Sequence, residues 1–173
     1  MNMKVKLSLS REKRSLGHEN ARGLILRAVK AALKAEGVEE PCAVSALLTD
    51  NEGIREINRE YRGIDSATDV LSFPMNQLVP GEFDAAECER DLDTGCILLG
   101  DMAFSLERCA LQGKEFGHGF DHELMYLTVH SVLHLLGYDH VDEGPRKMLM
   151  RGFEEDIMLA ALGKQGEKKP EGA

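Results

Sequence analysis

Asp121-His-Glu-Leu-Met-Tyr-Leu-Thr-Val-His130-Ser-Val-Leu-His134-Leu-Leu-Gly137-Tyr-Asp-His140 is the stretch on which the fold turns. Over residues 121–136 it is apolar nearly all round, the pattern of a helix buried in the middle of a domain. Gly137 ends that helix, because glycine adopts the left-handed conformation without a Cβ clash. His130 and His134 lie four apart, about 40° around the axis and about 6 Å along it, so two imidazoles can meet one ion at Zn–N distances of about 2.0–2.1 Å. On an unbroken helix His140 would stand roughly 15 Å from His130 on another face. The stop at Gly137 leaves three residues in which the chain can bring His140 back over the pair. Three neutral nitrogen donors with an open fourth position describe a catalytic divalent ion. Zinc is the expected ion, and affinity order alone does not separate it from other divalent transition metals. The alternative, core histidines with ordinary hydrogen-bond partners, suits one histidine better than three at this spacing.

The pattern H-x-x-x-H-x-x-G-x-x-H is the metzincin ligand spacing with one change. Metzincins carry Glu directly after the first His as general base, whereas this chain has Ser131. The cage is kept and the peptidase's base is missing. Asp139 and Glu123 are candidates to support the ligands from behind. Met148 or Met150 can form a floor under the ion, although core packing is their simpler role.

Outward from this helix, strands and helices interleave. Residues 4–9 alternate polar and apolar, as in a half-buried strand. Residues 19–36 place Ala21, Leu24, Ile25, Ala28, Val29 and Ala32 on one helical face, closed by Gly37. A second strand spans 42–48. Thr49 or Asp50 then caps a helix in which Ile54, Ile57 and Tyr61 share a face. Residues 69–74 form a third strand ended by proline, 75–93 an exposed acidic excursion, and 96–102 a fourth strand. Ser105 starts a short helix, and 143–162 make the last one. The expected class is α+β, with a small mixed four-stranded sheet and about five helices. Residues 1–163 are expected to form a single domain and 164–173 a charged, disordered tail.

Composition bounds the function. No residue run is long and apolar enough to suggest a membrane span, and the first 15 residues lack a signal peptide's apolar core. A cytoplasmic protein without membrane partners is therefore expected. The four cysteines form no CxxC pair, which fits reduced thiols and opposes a thiolate zinc site. The net charge of −9 opposes non-specific nucleic-acid binding, and no DNA partner is expected. Local charge differs from the sum. Arg55, Arg59 and Arg62 fall on one helical face, a stripe that can hold phosphates bidentately or serve as a solvated polar surface. His118, between two glycines just before the metal helix, is a further candidate to contact substrate.

Val129 to His140, V-H-S-V-L-H-L-L-G-Y-D-H, resembles a signature of the bacterial YbeY family. Ile57-Asn-Arg-Glu-Tyr-Arg-Gly63 followed by Thr68-Asp-Val-Leu-Ser-Phe-Pro74 is similar to its second signature, and Leu99-Gly-Asp101 and Gly117-His118 match further blocks. The resemblance implies a zincin-related fold and a zinc ion on His130, His134 and His140. It implies a single-strand-specific, metal-dependent endoribonuclease acting in 16S rRNA 3′-end maturation and ribosome quality control on the small ribosomal subunit. It also implies that Arg62 is a functional arginine. Ser131 departs from the family's usual glycine. A zincin-like metalloprotease, or an RNA-binding ribosome-assembly factor with a structural metal, stands as the alternative.

Overall fold

The computed structural model describes residues 4–138 and 145–163, with side chains over 4–138 and 151–163. His140, Asp139, the side chains of Met148 and Met150, and the tail expected over 164–173 lie outside the described residues.

The alternation at the N-terminus becomes strand β1 (Val5–Arg11), with Leu7 buried and Lys6, Ser8 and Ser10 exposed. β2 (Cys42–Thr49) runs parallel to it, and β4 (Ile97–Ser105) runs parallel to β2. β3 (Val70–Pro74) pairs antiparallel with β4 at the edge, so the sheet order is β1-β2-β4-β3. β4 reaches Ser105, three residues beyond the expected end, because both neighbours flank it there: Thr49 stands opposite Ser105 and Val70 opposite Phe104.

Helix α1 (Ala21–Ala35) buries Ala21, Ile25, Ala28, Val29, Ala32 and Leu33. Leu24 is only half-buried, and Leu33 completes the stripe in its place. Asp50, not Thr49, caps α2 (Asn51–Arg62), its Oδ1 accepting from the Gly53 N–H at 2.9 Å. Ile54 is buried beneath this helix, but Tyr61, expected on the same face, is 68% exposed. Ser105 caps α3 (Leu106–Phe116) by accepting from the Arg108 N–H at 3.0 Å.

Helix α4 (Gly119–Leu135) is the central element and touches α1, α3, β3, β4 and α5 (Pro145–Ala161). Packing on so many sides explains why it is apolar all round. Leu124, Leu127, Val129, Val132, Leu133 and Leu135 are all buried, each stabilising the fold by about 1.5–3 kcal/mol relative to exposure.

The segment after β3 is mostly exposed, as expected, but it is anchored to the fold at a few points. The Asn76 side chain donates to the Leu98 carbonyl at 2.9 Å and accepts from the Glu89 N–H at 2.8 Å. Leu78 and Phe83 pack against the core. The acidic composition marks the segment's outer surface, while a few isolated residues tie it down. Among the described residues no helix is long and apolar enough to cross a membrane.

Candidate metal centre

The last two turns of α4 carry His130 and His134 to the edge of the sheet. Their rings stand 4.7 Å apart between centroids, and their Nε2 atoms face each other at 3.2 Å. Two imidazoles sharing one tetrahedral ion at Zn–N of about 2.0–2.1 Å would have their nitrogens about 3.4 Å apart. The pair therefore fits a divalent ion. The tautomer fits as well. The His130 Nδ1 hydrogen-bonds the Glu154 Oε2 from α5, which places the proton on Nδ1 and leaves the Nε2 lone pair facing its partner. Glu154 is 3% exposed, and its Oε1 accepts from the Tyr126 hydroxyl at 2.5 Å. Burial, followed by the adjoining Glu154, pushes the Tyr126 hydroxyl well above its ordinary range, so it stays protonated and can donate. Among the described residues no third histidine, cysteine or acid completes a cage.

Gly137 ends the helix as expected, with φ of +106°. It has a second role that its spacing did not reveal. A Cβ there would lie 2.3 Å from the Leu78 carbonyl oxygen, so glycine also lets the 75–93 segment close over the end of α4. That segment, β3 and α4 together enclose a cavity of about 640 Å³, into which His130, His134, Asp69 and Arg62 all reach.

Arg62 comes from the last turn of α2. Its Nη2 donates to the Ser72 carbonyl at 2.6 Å, and its guanidinium lies over the Phe73 ring, 5.3 Å from the centroid. Ser131, fully buried, shares a hydrogen bond of 2.7 Å with the Ser72 hydroxyl. The metal helix, the edge strand and Arg62 are thus linked through Ser72. The hydroxyl standing where a metzincin has its glutamate is engaged in the core.

The other expected contacts are placed elsewhere. Arg55 is held by Asp65 at 2.7 and 3.2 Å, and Arg59 stands 4.0 Å from the same carboxylate. The Arg55 guanidinium in turn holds the Asp65 carboxyl below its usual range. The structure does not bring either arginine to the histidine pair. His118 opens on a different cleft, of about 560 Å³, between α4 and α5. Its Nε2 lies 2.6 Å from Glu123, a buried acid that also accepts from Gln112 at 2.8 Å. Glu123, expected as a candidate to support the ligands, therefore serves His118. Glu154 did not stand out in the sequence. Its signal was an acid in the apolar stripe of α5, where Ile157 and Met158 are buried three and four residues on; an acid at such a position requires a partner.

A family model described as Endoribonuclease YbeY matches residues 6–162. The chain belongs to the YbeY family. Relatives named Endoribonuclease YbeY include one from Clostridium botulinum, 48% identical over 151 residues, covering 82% of this chain and 88% of the relative. Another, from Clostridium acetobutylicum, is 49% identical over 147 residues, covering 81% of this chain and 87% of its own. A Thermotoga maritima protein solved in solution shares the fold, with a TM-score of 0.56 at 22% identity, covering 94% of this chain and 93% of that one. Membership in the YbeY family rests on nearly the whole described chain, including α4, β3 and the last turn of α2.

Proposed function

We propose that the chain is a metal-dependent endoribonuclease that cuts single-stranded RNA in the cytoplasm, with 16S rRNA of the small ribosomal subunit, at its 3′ end, as the target and ribosome quality control as the setting. His130, His134 and His140 would hold the ion, for which zinc is the best match. The name borne by relatives at 48–49% identity supports the reaction. The observation that carries the site is the facing Nε2 pair opening on the cavity that Arg62 also lines.

When bound, a divalent ion supplies Lewis-acid activation of water and of a phosphoryl oxygen. The protein's own groups do the rest. Glu154 fixes the ring orientation and tautomer of His130. Arg62 uses one N–H on Ser72 and retains others of its five donors for phosphate oxygens, where charge builds in the transition state. Ser72 and Phe73 hold its planar head in place, so the cation is positioned before substrate arrives.

The metalloprotease alternative is disfavoured by the edge strand. A peptide substrate added to β3 would need the strand's outward backbone groups. Asp69 and Met75 bond β4 through their backbones, so the alternate residues Val70, Ser72 and Pro74 face outward. The Val70 N–H is taken by the Asp69 side chain at 2.7 Å, the Ser72 carbonyl by Arg62, and Pro74 has no N–H. Ser131 in place of the peptidase's glutamate points the same way.

The test is cleavage of labelled single-stranded RNA by purified full-length protein, with His134→Ala prepared in parallel to expose contaminating ribonuclease. Arg62→Ala is expected to lower kcat by about 10²–10³ or more while metal stays near one ion per chain. Undiminished cleavage by either variant would overturn the assignment. Metal-replete protein that binds RNA without cutting it would favour the assembly factor, and casein digestion dependent on the histidines would favour the protease.

A further inference from the structure

We infer that Tyr61, backed by Phe73, is a nucleobase-stacking subsite that seats an unpaired base beside the cavity. This rests on the endoribonuclease reading and adds to it how the site selects single strands. Tyr61 lies in the last turn of α2, next to Arg62, and is 68% exposed. A large aromatic ring left in water at a helix end is not explained by packing: among the described residues its ring contact is an edge-on one with Phe73, at 5.7 Å and 66°. Phe73 is itself half-buried and lies beneath the Arg62 guanidinium. The three side chains make a contiguous group, two rings and a cation, and Arg62 extends it into the cavity of His130 and His134.

That combination matches what single-stranded nucleic acid presents, a phosphate for the guanidinium and, one sugar away, a flat face for the ring. A base inside a duplex is already stacked on both sides and cannot offer that face, so the subsite discriminates between strands by the availability of the base. Stacking is tolerant of sequence because every base has a π-face. The overall charge of −9 adds no general attraction to RNA, so short-range contacts such as this one carry more of the binding.

The test uses metal-loaded full-length protein and a fluorescein-labelled 12-nucleotide RNA made cleavage-resistant by 2′-O-methyl sugars, single-stranded or annealed to its complement. By anisotropy, Tyr61→Ala is expected to bind the single strand roughly 5- to 150-fold more weakly than the wild type, the range of losses when a stacking aromatic is truncated. Tyr61→Phe is expected to stay within about twofold of the wild type, and duplex binding to be unaffected. Because the chain contains no Trp, Tyr61→Trp installs a single indole, whose emission should be quenched as single-stranded RNA saturates the protein. Equal binding by wild type and Tyr61→Ala, or an indole unquenched at saturation, overturns the subsite and leaves the endoribonuclease reading standing. A wild type that binds neither RNA overturns both.

Discussion

Replacing Glu154 probes the metal centre from behind without touching a ligand. In Glu154→Ala, two hydrogen bonds end at once, those from His130 Nδ1 and from the Tyr126 hydroxyl. A buried polar group deprived of its partner costs about 1–3 kcal/mol. The His130 side chain is 23% exposed, so water can reach it and the lower end applies, about 2 kcal/mol for the two together. For a chain of this length that is a fall in Tm of roughly 4–8 °C, measured by scanning fluorimetry in EDTA. The second effect is on the ion. Without the carboxylate the His130 proton is free to move to Nε2, where it competes with the metal, and loss of such a partner typically weakens binding about 10- to 100-fold. Competition against a chromophoric chelator reads that number. Glu154→Gln separates the two effects, because an amide carbonyl can accept from His130 while its NH₂ faces the Tyr126 oxygen. It is expected to recover most of the stability and part of the affinity. Metal affinity within twofold of the wild type in Glu154→Ala would refute the role given to this residue.

Two further substitutions test how the site is framed. Gly137→Ala must hold a φ of +106° and fit a Cβ 2.3 Å from the Leu78 carbonyl; it is expected to lose at least about 2 kcal/mol, and an unchanged Tm would contradict this. Asp50→Ala removes the cap of the helix that presents Arg62 and is expected to lose about 0.5–2 kcal/mol in urea unfolding at pH 7. The Gly53 N–H, and then Lys13, lower the Asp50 carboxyl below its ordinary 3.8. Its contribution is therefore full above that value and lost as pH falls through the lowered one. The gap between wild type and variant should narrow as pH falls below 3.8, and a gap that acid leaves unchanged would count against the cap.

What could be read in the sequence was local. Helix α4 was visible because a helix packed on many sides must be apolar all round, and His130 and His134 because a four-residue spacing is a distance. Gly137 gave the helix stop. Its tight approach to Leu78 was hidden, since nothing in the spacing of the two residues records a contact across the chain. Glu154 was missed for the same reason: it meets His130 from another helix, 24 residues away. The arginine face was visible, but only tertiary placement could show that Asp65 engages Arg55 while Arg62 turns towards the cavity. His118 was close to the metal helix in sequence and faces a different cleft. Tyr61 was assigned to an apolar face by periodicity, yet its ring meets Phe73 only edge-on and stays largely in water.

The proposed reaction depends on one divalent ion held by three imidazoles. X-ray absorption at the metal edge, on protein purified without added chelator, reads both the ion and its ligands. About one ion per chain is expected, at the zinc edge or that of another divalent transition metal. Its spectrum should show nitrogen at about 2.0–2.1 Å and the outer-shell scattering of three imidazole rings, reduced to two in His140→Ala. A sulfur-dominated shell, or a spectrum unchanged by His140→Ala, would contradict it.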